Sequence, residues 1–138
     1  GLVVEGNGCP DGGERAFRYL AALDELPTAM FCYNDMTAMG LMHAAGRAGL
    51  SVPEDLAVVG YDDILLASYL SPPLTTVSQP KVEMGQEAMR IALSLITGDE
   101  DILEGMCASP DALVQCRLVV RASTVGRRSS IQQKEIQQ

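Results

Sequence analysis

Three short apolar runs, Leu2–Val4, Ala29–Tyr33 and Leu56–Tyr61, are separated by segments with helical spacing, and this alternation constrains the fold more than any other feature. The third run is rich in valine and bounded by turn signals, as strands buried on both faces of a parallel sheet tend to be. Between the runs, Asp11 to Leu23 carries Ala16, Phe17, Leu20 and Leu23 on one stripe, and Asp35 to Arg47 carries Met36, Met39, Met42 and His43 on another. Gly46 and Gly49 supply stop signals for the second helix. Strands alternating with helices predict an α/β fold around a parallel sheet.

After Tyr61 come an acidic turn, a short apolar stretch from Ile64 to Leu70, and Ser71-Pro72-Pro73, which cannot be helical. Leu74 to Val77 fits an extended segment. A long helix is expected from Pro80 to Thr97, with Met84, Ala88, Ile91 and Leu95 on one edge and Met89, Leu93 and Ile96 on the other. That stripe is wide enough to need cover. Gly98 to Asp111 reads as an acidic loop and Cys116 to Ala122 as a final strand. Residues 126–138 read as a disordered polar tail.

Composition narrows the function classes. At 138 residues and 47% hydrophobic the chain has one domain's worth of core-forming material, which excludes wholesale disorder. No run approaches the roughly 18–20 apolar residues of a membrane span. Ten basic against 18 acidic residues give a net charge of −8, and the two lysines are Lys81 and Lys134. Phosphate grooves need clustered Lys and Arg, so this polypeptide is not itself a DNA-contacting surface. Cys9, Cys32, Cys107 and Cys116 form no CxxC pair, and His43 is the one histidine, so no metal or cofactor site is expected. Cys32 and Cys116 lie in apolar runs and read as core side chains, their thiols reduced in a cytoplasmic protein. The chain opens on Gly1 and strand-like residues, and so reads as an excerpt of a longer one.

Candidate chemistry gathers at strand ends. Asp62 and Asp63 follow the Val58-Val59-Gly60 strand end, where open α/β sheets bind ligands. They can accept hydrogen bonds from ligand hydroxyls, or one of them can cap the next helical turn. Asn34 and Asp35 occupy the equivalent place before the second helix, where capping is the favoured reading. The stretch Gly6 to Gly13 fits neither phosphate-binding spacing and reads as a flexible turn. His43 reads as a structural or interface histidine, the methionines as core or interface filler, and Asp99-Glu100-Asp101 as a solvated loop.

Several segments taken together resemble the LacI/GalR bacterial transcription regulators. Pro27 to Gly40 (PTAMFCYNDMTAMG) is similar to their strand-to-helix signature, and Gly49 to Asp63 (GLSVPEDLAVVGYDD) to their "GL-VPED---VGYDD" block. Pro72 to Pro80 (PPLTTVSQP) is similar to the "PPLTTV-QP" crossover, and Leu118 to Thr124 to the closing strand. The resemblance implies a parallel-sheet, Rossmann-like lobe of the type I periplasmic-binding-protein fold, with the first lobe mostly absent. It assigns residues 1–125 to an effector-binding and dimerisation region, with first-lobe elements from about residue 75. It also implies a small-molecule effector such as a sugar, a homodimer, and DNA binding only through a helix-turn-helix head absent from this chain. The ligand contacts it implies are Asp62, Asn34 and Gln79. The homodimer face it implies includes Met39, Met42, Tyr69 and Leu70. The aromatic that such proteins place in the glycine-rich turn corresponds to Gly8, so this chain has no ring there.

Two rival readings are a periplasmic sugar-binding protein of a transport system, which shares the two-lobed fold, and a receiver-like phosphoacceptor domain. The latter needs a third strand-end aspartate and a late-sheet lysine, whereas Lys81 opens a helix and Lys134 lies in the tail. Enzyme readings are disfavoured by the single histidine and the lack of a paired nucleophile.

Overall fold

The computed structural model describes residues 2–98 and 115–125. Its sheet holds four strands in the order β1 (Ala29–Phe31), β2 (Ala57–Asp62), β3 (Thr75–Ser78) and β4 (Arg117–Val119). β1 and β2 pair in parallel with Met30 opposite Val58, and β2 and β3 pair in parallel with Gly60 opposite Thr76. Three helices complete the described elements: α1 (Pro10–Leu20), α2 (Asp35–Arg47) and α3 (Lys81–Thr97). The chain divides into two compact units, Gly1–Ser78 with Leu118–Gln138, and Gln79–Arg117.

The first unit is built on α1, α2 and the sheet. Pro10 suits the first turn of α1 because its missing N–H would have no partner there. Phe17, Leu20, Leu41, Leu56, Val58 and Leu74 form a common core, with Leu20, Leu56, Val58 and Leu74 fully buried. Each such side chain contributes about 1.5–3 kcal/mol by leaving water. α1 and α2 approach closely enough that a Cβ on Gly13 would collide with the Thr37 carbonyl, and one on Gly40 with the Pro10 carbonyl. Both obstacles are backbone, so no rotamer change relieves them.

The C-terminal segment closes this unit through a residue that the sequence pattern does not single out. Ser123, fully buried, donates its hydroxyl to the Val58 carbonyl at 2.6 Å and accepts the Thr75 N–H at 2.8 Å. Its backbone N–H reaches the Pro73 carbonyl, and its carbonyl accepts the Val58 N–H. One serine thus satisfies backbone groups of β2 and β3 that would otherwise be buried without partners.

Three expectations need correction. Leu2–Val4 is not a strand: Leu2 and Val3 are exposed, and Val4 alone packs against the core. A strand exists through its ladder partner, and apolar content does not supply one. The final strand is Arg117–Val119 rather than Cys116–Ala122, because residues 122–124 turn to insert Ser123. Cys116 is exposed, not a core side chain. The acidic loop beyond Gly98, Cys107 and the polar tail lie outside the described residues.

In the second unit, α3 ends at Gly98, whose φ of +70° gives the left-handed C-cap that glycine adopts freely. Val82, Met89, Leu93, Leu95 and Ile96 are exposed along α3, as the width of its stripe foretold, and Ser94 is its buried residue. Among the described residues, no helix is long and apolar enough to cross a membrane.

Cys32, at the end of β1, is buried, and its thiol pKa is pushed up to about 12 by desolvation and then by the nearby charge of Asp35. It is therefore a protonated, unreactive core group at neutral pH.

Two measurements check this packing. In urea unfolding, Gly40→Ala is expected to lower stability by at least about 2 kcal/mol. Gly46→Ala, which meets open space in the same helix, should raise it by about 0.5–1 kcal/mol. Iodoacetamide at pH 8, followed by peptide mass spectrometry, should label exposed Cys9 rapidly and Cys32 only as fast as the core opens. The raised thiol pKa also fixes a sign: the stability it contributes is complete below the unfolded-state pKa near 9 and is lost as pH rises towards 12.

Candidate functional site

Parallel strands deliver the candidate ligand contacts to one edge. Phe31 pairs with Val59, and Asn34 and Asp62 each follow by three positions, so the two residues leave neighbouring strand ends at the same level. The ends of parallel strands, where helix N-termini also gather, are where open α/β sheets take ligands.

Asn34 is the N-cap of α2. Its Oδ1 accepts the Thr37 N–H at 2.8 Å, and its Nδ2 donates to the Gly8 carbonyl at 2.9 Å. The capping reading therefore holds, and the same side chain ties the glycine-rich turn to the helix start. An amide has a second hydrogen and a second lone pair, so neither bond exhausts it.

Asp62 and Asp63 form a turn with unusual backbone. Asp62 has φ +112° and Asp63 φ +51°, both in the half of conformational space that side chains with a Cβ disfavour. Such geometry persists where surrounding contacts over-determine it, and it clusters at ligand clamps. Neither residue caps the following 3₁₀ turn at Leu65–Ser68, whose N-cap is Ile64 without any side-chain cap bond. Asp63 instead accepts the Arg121 guanidinium at 2.7 Å, while the same guanidinium donates to the Leu74 carbonyl. Asp62 is half-buried at the end of β2, opposite Ser78.

Beneath this turn lies a carboxylate that the sequence offered only as a possible cap. Asp35 is 1% exposed in the first turn of α2. Its Oδ1 accepts the Thr76 hydroxyl at 2.5 Å and its Oδ2 the Ile64 N–H at 2.9 Å. The helix N-terminus and these two donors offset the cost of burying a charge. Gly60 leaves room for it, since a Cβ there would collide with Oδ1.

The remaining candidates are distributed more widely. Gln79 is half-buried and opens the second unit, where its carbonyl accepts the Lys81 N–H. Met42 is 8% exposed and belongs to the core of the first unit, whereas Tyr69 is 76% exposed and Met39 and Leu70 are half-buried. His43 is exposed. A pocket of about 500 Å³ is lined by Val4, Gly8, Met30, Tyr33, Thr37 and neighbouring residues, and Asp62 is not part of its wall. The exposed Tyr33 ring stands where a side chain at position 8 would meet it, 3.7 Å from a Cβ there. An aromatic thus borders the glycine turn after all, from the residue just before Asn34. Among the described residues, no cluster of His, Cys, Asp and Glu could hold a metal ion.

Comparison with known proteins agrees with this architecture. Residues 4–124 match the family described as periplasmic binding protein-like domain. The HTH-type transcriptional repressor CytR of Escherichia coli K12 is 38% identical over 122 residues, covering 88% of this chain and 34% of that protein. The structure of the lac repressor dimer bound to operator and an anti-inducer is 31% identical with a TM-score of 0.73, over 88% of this chain and 35% of that one. A complex of the transcriptional regulator CelR with cellobiose is 32% identical with a TM-score of 0.73, over 88% of this chain and 36% of that one. The chain thus spans about a third of the length of these relatives. It belongs to the periplasmic binding protein-like domain family and corresponds to part of the sensor domain of LacI-family transcriptional regulators.

Proposed function

We propose that this chain senses a small hydroxylated effector, a sugar or related metabolite, and contributes to the dimer of a cytoplasmic LacI-type regulator. The observation that carries the reading is the Asp62 turn. A carboxylate held at the end of a parallel strand, on backbone with φ +112°, is an acceptor for ligand hydroxyls or ring N–H groups. Asn34, at the same level of the neighbouring strand, offers its remaining amide hydrogen and lone pair. Cellobiose in the CelR complex and an anti-inducer in the lac repressor dimer support a ligand of this kind.

Dimerisation is assigned to the face bearing Met39, Tyr69 and Leu70. Exposed Tyr69 is the aromatic anchor that a self-complementary patch uses, whereas Met42, 8% exposed, lies in the core. The chain has too few basic residues to grip DNA, so operator binding falls to a head outside it. Effector binding then acts as a population shift: a ligand that prefers one lobe arrangement by about 1–3 kcal/mol changes operator affinity by the same coupling energy. This is a binding function, with no chemical step.

In the full-length protein, Asp62→Ala should abolish the effector response while basal operator binding stays intact. Operator gel shifts across a panel of mono- and disaccharides and nucleosides read both quantities. An unchanged response in this variant would remove Asp62 from the pocket.

A further inference from the structure

We infer that Asp35 is the positioning residue of the effector site: it holds the backbone turn that presents Asp62, without itself contacting ligand. The inference rests on the reading of Asp62 as an effector contact and adds to it the group that sets its geometry.

Three observations meet at this carboxylate. Its two oxygens are spent on separate elements, Oδ1 on the Thr76 hydroxyl of β3 and Oδ2 on the Ile64 N–H just past the turn. The Thr76 oxygen also accepts the Asp63 N–H at 3.4 Å, so both backbone amides that follow Asp62 lead back to Asp35, one directly and one through a hydroxyl. Gly60, two residues before Asp62, keeps the space that Oδ1 fills, where a Cβ would collide.

The turn needs this hold because its backbone is intrinsically unfavourable. A non-glycine residue at φ +112° is strained and relaxes unless neighbours over-determine it. Asp35 is suited to the task because it is 1% exposed, so water does not compete for its oxygens. It also sits in the first turn of α2, next to Asn34, which caps that helix. The two candidate contacts, Asn34 and Asp62, are therefore fixed from one helix N-terminus, and their relative placement does not depend on the ligand. Arg121 braces Asp63 from the other side but reaches neither of the two amides.

The test is hydrogen–deuterium exchange by mass spectrometry on the full-length protein, comparing wild type with Asp35→Asn, Thr76→Val, Thr76→Ser and Leu41→Ala. Asp35→Asn replaces an oxygen acceptor with a donor, Thr76→Val removes the relaying hydroxyl at constant shape, and Thr76→Ser keeps it. Leu41→Ala weakens the core of the same unit without touching the turn. Asp35→Asn and Thr76→Val should each speed exchange in the peptide covering 61–66 by about tenfold, while peptides from α1 and the body of α2 keep wild-type rates. Thr76→Ser should restore the wild-type rate. Leu41→Ala should instead speed exchange throughout the first unit.

Unchanged exchange at 61–66 in Thr76→Val, or a uniform rise resembling that of Leu41→Ala, would overturn the inference. If Asp35→Asn does not fold, the Thr76 pair alone decides it. The Asp62→Ala response separates the two levels. An unchanged effector response in Asp62→Ala, with the exchange pattern as expected, would refute the reading of Asp62, whereas a lost response with unchanged exchange at 61–66 in Thr76→Val would refute the hold by Asp35.

Discussion

A single buried carboxylate organises the strand-end edge of this unit. Asp35 brings a negative charge into the region where α2, β2 and β3 meet, and the charge is tolerable because a helix N-terminus, a hydroxyl and a backbone amide all point at it. Everything adjacent is arranged around it. Gly60 leaves it room, Cys32 stays protonated partly because of it, and the chain can leave β2 through two residues of positive φ because the amides of Asp63 and Ile64 lead back to it, the first through the Thr76 hydroxyl. Removing the carboxylate would leave a threonine hydroxyl and an amide searching for partners in a dry interior, a larger loss than the bonds themselves.

The same economy recurs at the opposite end of the sequence. Ser123 satisfies groups of β2 and β3, and the Thr75 hydroxyl contacts the Arg121 backbone N–H and carbonyl and the Thr124 hydroxyl. Polar residues 46 to 65 positions apart in the chain do the joining, while the apolar core supplies most of the driving force. Arg121 adds a charged contact to the Asp63 side of the turn, so the closing segment and the candidate site share a boundary. The candidate site and the completion of the fold are thus not separable in this unit.

Legibility in the sequence followed the range of the interaction. β1, β2, β3 and the three helices were readable because apolar spacing records which face each residue buries, and Asn34 was readable as a cap because capping spans three residues. The wide apolar stripe of α3 was equally plain, and its exposure follows from it. Asp35 and Ser123 were not readable in their actual roles, because their partners lie 29 to 65 positions away and nothing local to ND or RAST specifies them. Leu2–Val4 shows the converse failure: strand-like composition without a ladder partner. Asp62 and Asp63 do lie at the end of β2, but that neither caps the next turn rests on backbone geometry that composition does not encode.

The glycines at the α1–α2 contact carry a consequence for redesign of this unit. Gly13 and Gly40 touch backbone carbonyls of the facing helix, so no larger residue enters at either position unless a whole helix moves. Such a move would shift the first turn of α2, and with it Asn34 and Asp35 beside the candidate site. Neither position therefore tolerates stepwise enlargement of its side chain. Re-engineering of the candidate site is better directed at the strand ends, with the helix contact left as it stands.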